Sequence, residues 1–156
     1  MNSLVPILLA EDNDDDVSLT RRAFERAGVL NPLHVVSDGE QAIAYLKGEG
    51  LYSNRAEYPV PNLLLLDLRM PKKDGFEVLR WLRGEPGLRC LRVVVLTSSA
   101  DVRDVNSAFS LGADAFIIKP ADFLRLVEFS EALGGSWLWA DEQPALIRER
   151  AKLHEV

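Results

Sequence analysis

The sequence has a single cysteine, no block of basic residues and no apolar run long enough to span a bilayer. Because Cys90 has no second cysteine to pair with, no internal disulfide can form, which suits a reducing compartment. The 18 Lys and Arg residues are outnumbered by 24 Asp and Glu residues, and the net charge of −6 argues against direct binding to nucleic acid. Met1-Asn2-Ser3 leaves no room for a signal peptide before the first apolar run. These absences predict a cytoplasmic protein that contacts neither nucleic acid nor a membrane.

The sequence does contain several short apolar runs that each stop at a reactive side chain. The runs have the length of buried strands in a parallel sheet, and helix-like segments separate them. In a parallel sheet the carboxyl ends of the strands lie along one edge, where such folds bind ligands. We therefore expect the residues that follow the runs to meet in one pocket. They are Glu11-Asp12, Asp67, Thr97-Ser98 and Lys119-Pro120.

A β-α unit that repeats five times predicts the fold class. Right-handed crossovers between such units give an α/β protein with an open parallel sheet covered by helices on both faces. Five strands favour the flavodoxin-like, doubly wound order 2-1-3-4-5, with five helices and a switch point between strands 1 and 3. The helices are predicted to follow Asn13 or Asp14 and to cover about residues 38–47, 76–83, 101–111 and 121–133.

The length of 156 residues fits one domain with a short C-terminal extension. We predict a domain over residues 1–133 and an extension over residues 134–156, because Gly134-Gly135 is expected to end the last helix. Trp137 and Trp139 follow closely, and large apolar groups this near each other usually mark an interaction surface. The extension is therefore predicted to form an interface.

The carboxylates of the predicted pocket suit a divalent cation and phosphoryl chemistry. Packed carboxylates resist ionising together unless a cation lies between them, so Glu11, Asp12 and Asp67 favour a Mg²⁺ site. Asp67, at the switch point, can attack phosphorus as a carboxylate nucleophile. The ammonium of Lys119 and the hydroxyl of Thr97 can then neutralise and hydrogen-bond the phosphoryl oxygens. The residue types predict an aspartyl-phosphate site.

The ordered set of side chains resembles the receiver domains of two-component response regulators, over about residues 4–133. The match includes the acidic pair after strand 1, the aspartate after strand 3, the Thr after strand 4 and the Lys-Pro after strand 5. The resemblance implies that Asp67 is the phosphoacceptor and that the carbonyl of Arg69 completes the metal site. It also implies a conformational switch at Thr97 and Phe116.

The resemblance further implies how such a protein signals. A sensor histidine kinase or a phosphotransfer protein would be the phosphoryl donor, and no DNA-binding output domain follows the predicted receiver. The protein would not be an enzyme beyond its own phosphorylation and dephosphorylation. The long loop over residues 48–61 and the Trp-Leu-Trp segment resemble the response regulators of phytochrome-type kinases.

The sequence has more apolar residues on its last helices and strand than one core requires, and this predicts a homodimer. Val102, Val105 and Phe109 can form one stripe on the fourth helix, while Phe116, Trp137 and Trp139 are the predicted interface residues. One domain needs only one core face per helix, and closed two-fold symmetry is the usual way to bury a second face. Two alternatives stay open, since Phe116 can be plain core packing and the extension can pack on its own domain.

Three rival functions have weaker support in the sequence. A haloacid-dehalogenase-type phosphatase needs a second aspartate two positions after the nucleophile, where this chain has Arg69. A flavodoxin would bind an anionic phosphate in the loop after strand 1, where Glu11 and Asp12 would repel it. A degenerate receiver acting only as a docking module would normally lack one of the site residues.

Asp14, Asp15 and Asp16 are explained by helix capping and the helix dipole rather than by a second metal site.

Overall fold

Strands and α-helices alternate along the part of the chain that the structure describes, residues 6–98, 101–119 and 123–136 of a computed structural model. Short 3₁₀ turns at Gly50–Tyr52 and Pro86–Leu88 interrupt two of the loops. The strands are β1 (Ile7–Ala10), β2 (Leu33–Val36), β3 (Leu63–Leu66), β4 (Arg92–Thr97) and β5 (Ala115–Ile118). The helices are α1 (Asp14–Ala27), α2 (Gly39–Lys47), α3 (Gly75–Arg83), α4 (Val102–Ser110) and α5 (Phe123–Ser136).

The five strands form one parallel sheet in the order β2-β1-β3-β4-β5, which confirms the predicted flavodoxin-like topology. The register sets Ala10, the last residue of β1, opposite Val36 on one side and Leu66 on the other. The residues that follow β1 and β3 therefore lie at the same level of the carboxyl edge. This level edge is what brings the first acidic pair next to Asp67.

Helices cover both faces of the sheet. Leu8 and Ala10 pack with residues of α2, α3 and α4, whereas Ile7 and Leu9 pack on the opposite face, toward α1. Because both faces are buried, β1 and β3 can be continuous apolar runs instead of alternating ones. Helix α5 packs against α1 on the second face.

Side-chain caps fix where the helices start. The Asn13 side chain accepts a hydrogen bond from the N–H of Asp16 (3.0 Å), and Asp38 accepts one from Gln41 (2.7 Å). Asp74 and Glu77 form a reciprocal capping box at the start of α3. These caps place the first turns of α1, α2 and α3 at the carboxyl edge of the sheet, around the predicted pocket.

The predicted end of the last helix was wrong. Helix α5 runs from Phe123 to Ser136, so Gly134-Gly135 lies inside it instead of ending it. A glycine costs a helix about 1 kcal/mol relative to alanine but keeps its N–H, and packing against α1 can offset that cost. Trp137 and Trp139, with the rest of residues 137–156, lie outside the described residues, so their interface role stays a prediction.

The loop over residues 48–61 is folded tightly against α2. The Arg55 guanidinium donates to the carbonyls of Tyr45 (2.8 Å), Leu46 (2.9 Å) and Tyr58 (3.1 Å). The Tyr45 ring lies at the centre of an aromatic cluster, with its centroid 5.0 Å from that of Tyr52 and 6.0 Å from that of Tyr58. Arg55 thus satisfies carbonyls at the end of α2 while it holds the loop in place.

The predicted apolar stripe on α4 is only partly exposed. Val102 is 65% exposed, whereas Val105 is buried and packs in the core with Phe109 at its margin. Residues three apart on a helix face the same side, and here that side points mainly into the protein. Among the helices of the described residues, none is both long and apolar enough to cross a membrane.

Candidate functional site

Main-chain hydrogen bonds extend the sheet by one residue and so position the site. The N–H of Glu11 donates to the carbonyl of Val36 (3.0 Å), and the N–H of Asp67 donates to that of Ala10 (3.1 Å). On the other side, the N–H of Lys119 donates to the carbonyl of Thr97 (2.7 Å). The backbone therefore holds the predicted site residues along one edge, as the sequence indicated.

Three carboxylates meet at this edge. Oxygen atoms of Glu11, Asp12 and Asp67 all lie within 4.8 Å of one another, with Glu11 and Asp67 buried and Asp12 exposed. A cluster of hard oxygen donors with one open side suits a divalent cation such as Mg²⁺, which keeps several of its waters when bound. The donor set thus fits the predicted metal.

Lys119 forms ion pairs with three carboxylates at this edge. Its ammonium nitrogen forms ion pairs with Glu11 Oε1, with Asp16 Oδ2 at 2.8 Å and with Asp67 Oδ2 at 3.2 Å. One cation thus faces three carboxylates, so the site carries excess negative charge. A bound divalent cation would offset that excess.

Asp16 belongs to the site, although its place in the sequence indicated only helix capping and an interaction with the helix dipole. The N–H of Asp16 donates to the Asn13 side chain, as expected at a helix start. The Asp16 carboxylate, however, accepts a hydrogen bond from Lys119. The sequence held one indication that Asp16 lies near the site: the first turn of α1 follows β1 directly and must therefore lie over the carboxyl edge of the sheet. The interaction that identifies Asp16 nevertheless spans 103 positions of sequence, and no local pattern reveals it.

The electrostatics of the site follow from burial. Burial raises the pKa of Glu11 to about 7, because the hydrogen bond from Lys119 offsets only part of that cost and the charge of Asp67 adds to it. Burial alone would lower the pKa of Lys119, but its hydrogen bonds to Asp16 and Glu11 and the charge of Asp67 raise it. The Lys119 side chain therefore stays protonated at neutral pH.

The loop after β3 turns back closely on the acceptor residue. The N–H of Arg69 donates to Asp67 Oδ1 (3.1 Å), and the N–H of Gly75 donates to the carbonyl of Leu68 (3.0 Å). A β-carbon at position 75 would lie 2.5 Å from the carbonyl oxygen of Asp67. Glycine at this position thus permits the close approach of α3 to the acceptor. The carbonyl of Arg69 as a metal ligand stays a prediction.

Thr97 and Phe116, the predicted switch residues, lie inside the protein. Thr97 ends β4 and is completely buried, and Phe116 in β5 is buried in the core that also contains Val105 and Ala108 of α4. Because the Phe116 ring has no exposed surface, it cannot contact a partner in this conformation, which corrects its assignment to an interface. Its packing against α4 residues is compatible with a switch role.

A second ion pair borders the site, and sequence reasoning missed it. Arg69 Nη2 lies 2.6 Å from Asp104 Oδ2 on α4, and the two residues are 35 positions apart. The Arg69 guanidinium carbon also lies 6.0 Å from the centroid of the Phe76 ring. No spacing rule connects a residue of the loop after β3 with α4, because α3 and β4 lie between them, so the sequence carried no signal for this contact.

The sequence is similar to a described family and to curated relatives. The model of the response regulator receiver domain matches residues 7–131. Response regulator Rcp1 of Synechocystis sp. is 35% identical over 139 residues, which cover 89% of this chain and 92% of Rcp1. Probable methanogenesis regulatory protein FilR2 of Methanothrix harundinacea is 38% identical over 138 residues, which cover 88% of this chain and 86% of FilR2.

Solved structures are similar in fold as well. The phosphorylated cyanobacterial phytochrome response regulator RcpA matches with a TM-score of 0.79 and 36% identity, covering 87% of this chain and 95% of that one. The Mn²⁺-bound form of Rcp1 matches with a TM-score of 0.77 and 35% identity, covering 86% of this chain and 94% of that one. The likeness therefore extends over most of the length of each protein.

Proposed function

Because this chain belongs to the response regulator receiver domain family, whose members are phosphorylated on an aspartate with the help of Mg²⁺, we propose that it signals through phosphorylation of Asp67. One observation carries the proposal. The buried Asp67 carboxylate lies within 4.8 Å of carboxylate oxygens of Glu11 and Asp12 and 3.2 Å from the Lys119 ammonium. A nucleophile, a set of metal ligands and a fixed cation are thereby combined at one edge of the sheet.

The reaction is a transfer of one phosphoryl group. A carboxylate oxygen of Asp67 attacks phosphorus and forms the new O–P bond, while the P–N bond of a phosphohistidine donor breaks. The electron pair of that bond goes to the imidazole nitrogen, which takes up a proton from solvent, and Asp67 becomes an acyl phosphate. Lys119 neutralises charge on the phosphoryl oxygens, and the Thr97 hydroxyl donates a hydrogen bond to them.

Mg²⁺ would be held by Glu11, Asp12 and Asp67, with the carbonyl of Arg69 as a further ligand. When bound, the ion neutralises negative charge that would otherwise repel the incoming phosphoryl group. The fit of the three carboxylates supports this assignment. The relative Rcp1 has a Mn²⁺-bound form, which supports a divalent-cation site in this chain as well.

Phosphorylation would act as a conformational switch through Thr97 and Phe116. Thr97 ends β4 and leads into the loop before α4, and Phe116 shares a core with α4. A hydrogen bond from the Thr97 hydroxyl to a phosphoryl oxygen would draw this loop toward the site. To move a 1:99 mixture of states to 99:1, such contacts must supply about 5.5 kcal/mol of differential interaction.

The relatives support a proposal for the partners. RcpA is described as a phytochrome response regulator, so we place this chain downstream of a phytochrome-type histidine kinase or a phosphotransfer protein, in the cytoplasm. It would have no enzymatic activity apart from its own phosphorylation and dephosphorylation, and it would contact nucleic acid only through other proteins. A homodimer, with Trp137 and Trp139 at its interface, completes the proposed assembly.

Phosphoryl uptake from acetyl phosphate or phosphoramidate tests the proposed function. We expect one acid-labile phosphoryl group per chain in the presence of Mg²⁺ and none after chelation of the metal. Asp14→Asn is a matched control, because Asp14 starts α1 without belonging to the carboxylate cluster, and it should still be labelled. Steady-state release of phosphate from a generic ester, without stoichiometric labelling, would instead show a phosphatase.

A further inference from the structure

Arg69 contacts both the acceptor carboxylate and helix α4. Its main-chain N–H donates to Asp67 Oδ1 at 3.1 Å, and its guanidinium donates from Nη2 to Asp104 Oδ2 at 2.6 Å. Asp104 lies in the first turn of α4. A single residue of the loop after β3 thus connects the proposed phosphorylation site to the helix that follows β4.

The ion pair is largely buried on the Asp104 side, whereas the Arg69 side chain is 61% exposed. The Asp104 side chain is only 15% exposed, so its carboxylate depends on a partner to compensate for lost hydration. The bond is short and charge-assisted, and the guanidinium also lies over the Phe76 ring. Phe76 belongs to the first turn of α3, so the Arg69 side chain is anchored to two helices at once.

We propose that Arg69 is a positioning residue that couples the charge state of Asp67 to the position of α4, through its ion pair with Asp104. The inference rests on the proposed phosphorylation of Asp67 and goes beyond it by naming a second route to α4, separate from the Thr97 hydroxyl. It assigns Asp104, which is not a residue of the carboxylate cluster, to the regulation of that site.

The chemistry of the acyl phosphate explains how the coupling would work. Phosphorylation replaces one carboxylate oxygen negative charge with a phosphoryl group that carries a charge of about −1.5 to −2. The acceptor of the Arg69 N–H changes, and the phosphoryl oxygens become a competing target for the Arg69 guanidinium. The ion pair between Asp104 and Arg69 is thereby weakened. Helix α4 then changes position, because the Asp104 side chain is mostly buried and moves with the helix.

A neighbouring ion pair provides a matched control. Arg103 Nη2 lies 2.9 Å from Asp101 Oδ2 at the start of α4, with side chains 90% and 41% exposed. The hydrogen bonds of this pair join two residues of the same helix terminus, although the charge of Arg69 also acts on Asp101 and that of Asp104 on Arg103. Arg103→Gln removes one positive charge near α4, as Arg69→Gln does. Unlike Arg69→Gln, it does not alter a residue that contacts Asp67.

Amide chemical shifts of α4 test the coupling. The experiment adds beryllofluoride with Mg²⁺, as a phosphoryl mimic, to the full-length protein and to Asp104→Asn, Arg69→Gln and Arg103→Gln. We expect the shift changes over residues 102–110 to fall by about twofold or more in Asp104→Asn and Arg69→Gln, as for residues that carry coupling between sites. Arg103→Gln should respond like the unmodified protein. The double variant Arg69→Gln/Asp104→Asn should lose no more than either single variant.

The outcomes separate this inference from the proposed function. Asp104→Asn is nearly isosteric and should still show mimic-induced shifts at Asp67 and its neighbours. If those shifts persist while α4 responds as in the unmodified protein, the coupling through Arg69 is refuted and the phosphorylation site stands. If the unmodified protein shows no Mg²⁺-dependent shifts at all, the proposed function itself fails. Arg69→Lys, which keeps the charge but loses the planar fork, should retain only part of the α4 response.

Discussion

Gly75 lies where the start of α3 approaches the main chain of the acceptor residue closely. A β-carbon there would lie 2.5 Å from the Asp67 carbonyl oxygen and 2.7 Å from the Leu68 α-carbon, both main-chain atoms that cannot rotate away. We predict that Gly75→Ala lowers the free energy of unfolding by about 1–3 kcal/mol, as for other overpacked sites. It should also slow Mg²⁺-dependent phosphorylation, because the strain falls on the acceptor. Urea denaturation and labelling rates measure the two effects.

Gly87→Ala is the control for this prediction. No heavy atom lies within 4 Å of a β-carbon built at position 87, and its backbone is not in the left-handed region. The free energy of unfolding should therefore stay within about 0.5 kcal/mol of the original. Equal stabilities for Gly75→Ala and Gly87→Ala would show that the loop adapts and that the close approach has no cost.

Tyr45 should make the stability of the protein sensitive to alkaline pH. Burial raises its pKa from 10.0 to about 12, although the charge of Arg55 opposes this and Tyr52 and Tyr58 add to it. The fold therefore favours the neutral phenol, so the stabilisation is fully present below pH 10 and is lost as the pH rises toward about 12. The free energy difference between the original protein and Tyr45→Phe should shift by about 1.4 kcal/mol per pH unit in that window.

Urea denaturation of both proteins at a series of pH values measures this shift. Tyr45→Phe keeps the ring and loses only the hydroxyl, which donates to the Pro59 carbonyl at 3.0 Å. Ionising groups that do not interact with Tyr45 are the same in both proteins and cancel in the difference. A difference that stays constant from below pH 10 to the top of the window would mean that the phenol ionises as easily in the folded protein as in the unfolded chain.

The site residues that lie at strand ends were predictable from the sequence. Those whose place depends on a tertiary contact were less predictable. Glu11, Asp12 and Asp67 follow apolar runs, and the sheet edge alone brings their carboxylates together. Asp16 was explained as part of a helix start because a capping role is visible locally, whereas its contact with Lys119 is not. Phe116 was assigned to an interface because an aromatic residue on an edge strand can face either way, and its burial is decided only by how α4 packs.

At the scale of elements, Arg55 should control the order of the loop over residues 48–61. We predict that Arg55→Gln lowers the free energy of unfolding by about 2 kcal/mol, because three carbonyls lose a charged hydrogen-bond donor. Amide hydrogen exchange at Tyr58, whose N–H donates to the Asn54 carbonyl, should accelerate. Both effects are measured on the purified protein, by urea denaturation and by exchange mass spectrometry.

Arg103→Gln is the matched control, because the Arg103 side chain is 90% exposed and its ion pair lies at a helix end. Its stability should change by less than about 0.5 kcal/mol. If Arg55→Gln behaves like Arg103→Gln, the loop is held by the tyrosine cluster rather than by the guanidinium.

The elements themselves were largely predictable because their signals are local. Asn13, Asp38 and Asp74 cap helices where polar residues precede an apolar pattern, and Gly28 ends α1 in the left-handed conformation at a φ of 76°. The end of α5 was not predictable in this way. Glycine can continue a helix when neighbouring helices hold it, so Gly134-Gly135 gave a local stop signal that the packing of α5 on α1 overrides.

At the scale of the whole molecule, we predict a homodimer that depends on the C-terminal extension. Since α5 continues to Ser136, truncation after Ser136 removes residues 137–156 of the extension and keeps all of Phe123–Ser136. Light scattering at micromolar concentration should give a dimer mass for the full chain and a monomer mass for the truncated one. Trp137→Ser/Trp139→Ser, which keeps the length, should have the same effect as truncation. A monomeric full chain, both before and after phosphorylation, would refute the dimer.

The measurement that tests the central claim most directly is identification of the phosphorylated residue. Peptide mass mapping after labelling with Mg²⁺ and phosphoramidate should find the single acid-labile phosphoryl group on Asp67, because its buried carboxylate follows β3 and lies beside Glu11, Asp12 and the Lys119 ammonium. Asp67→Asn should abolish the label, and Asp14→Asn should keep it. A label on a histidine, or undiminished labelling of Asp67→Asn, would contradict the account.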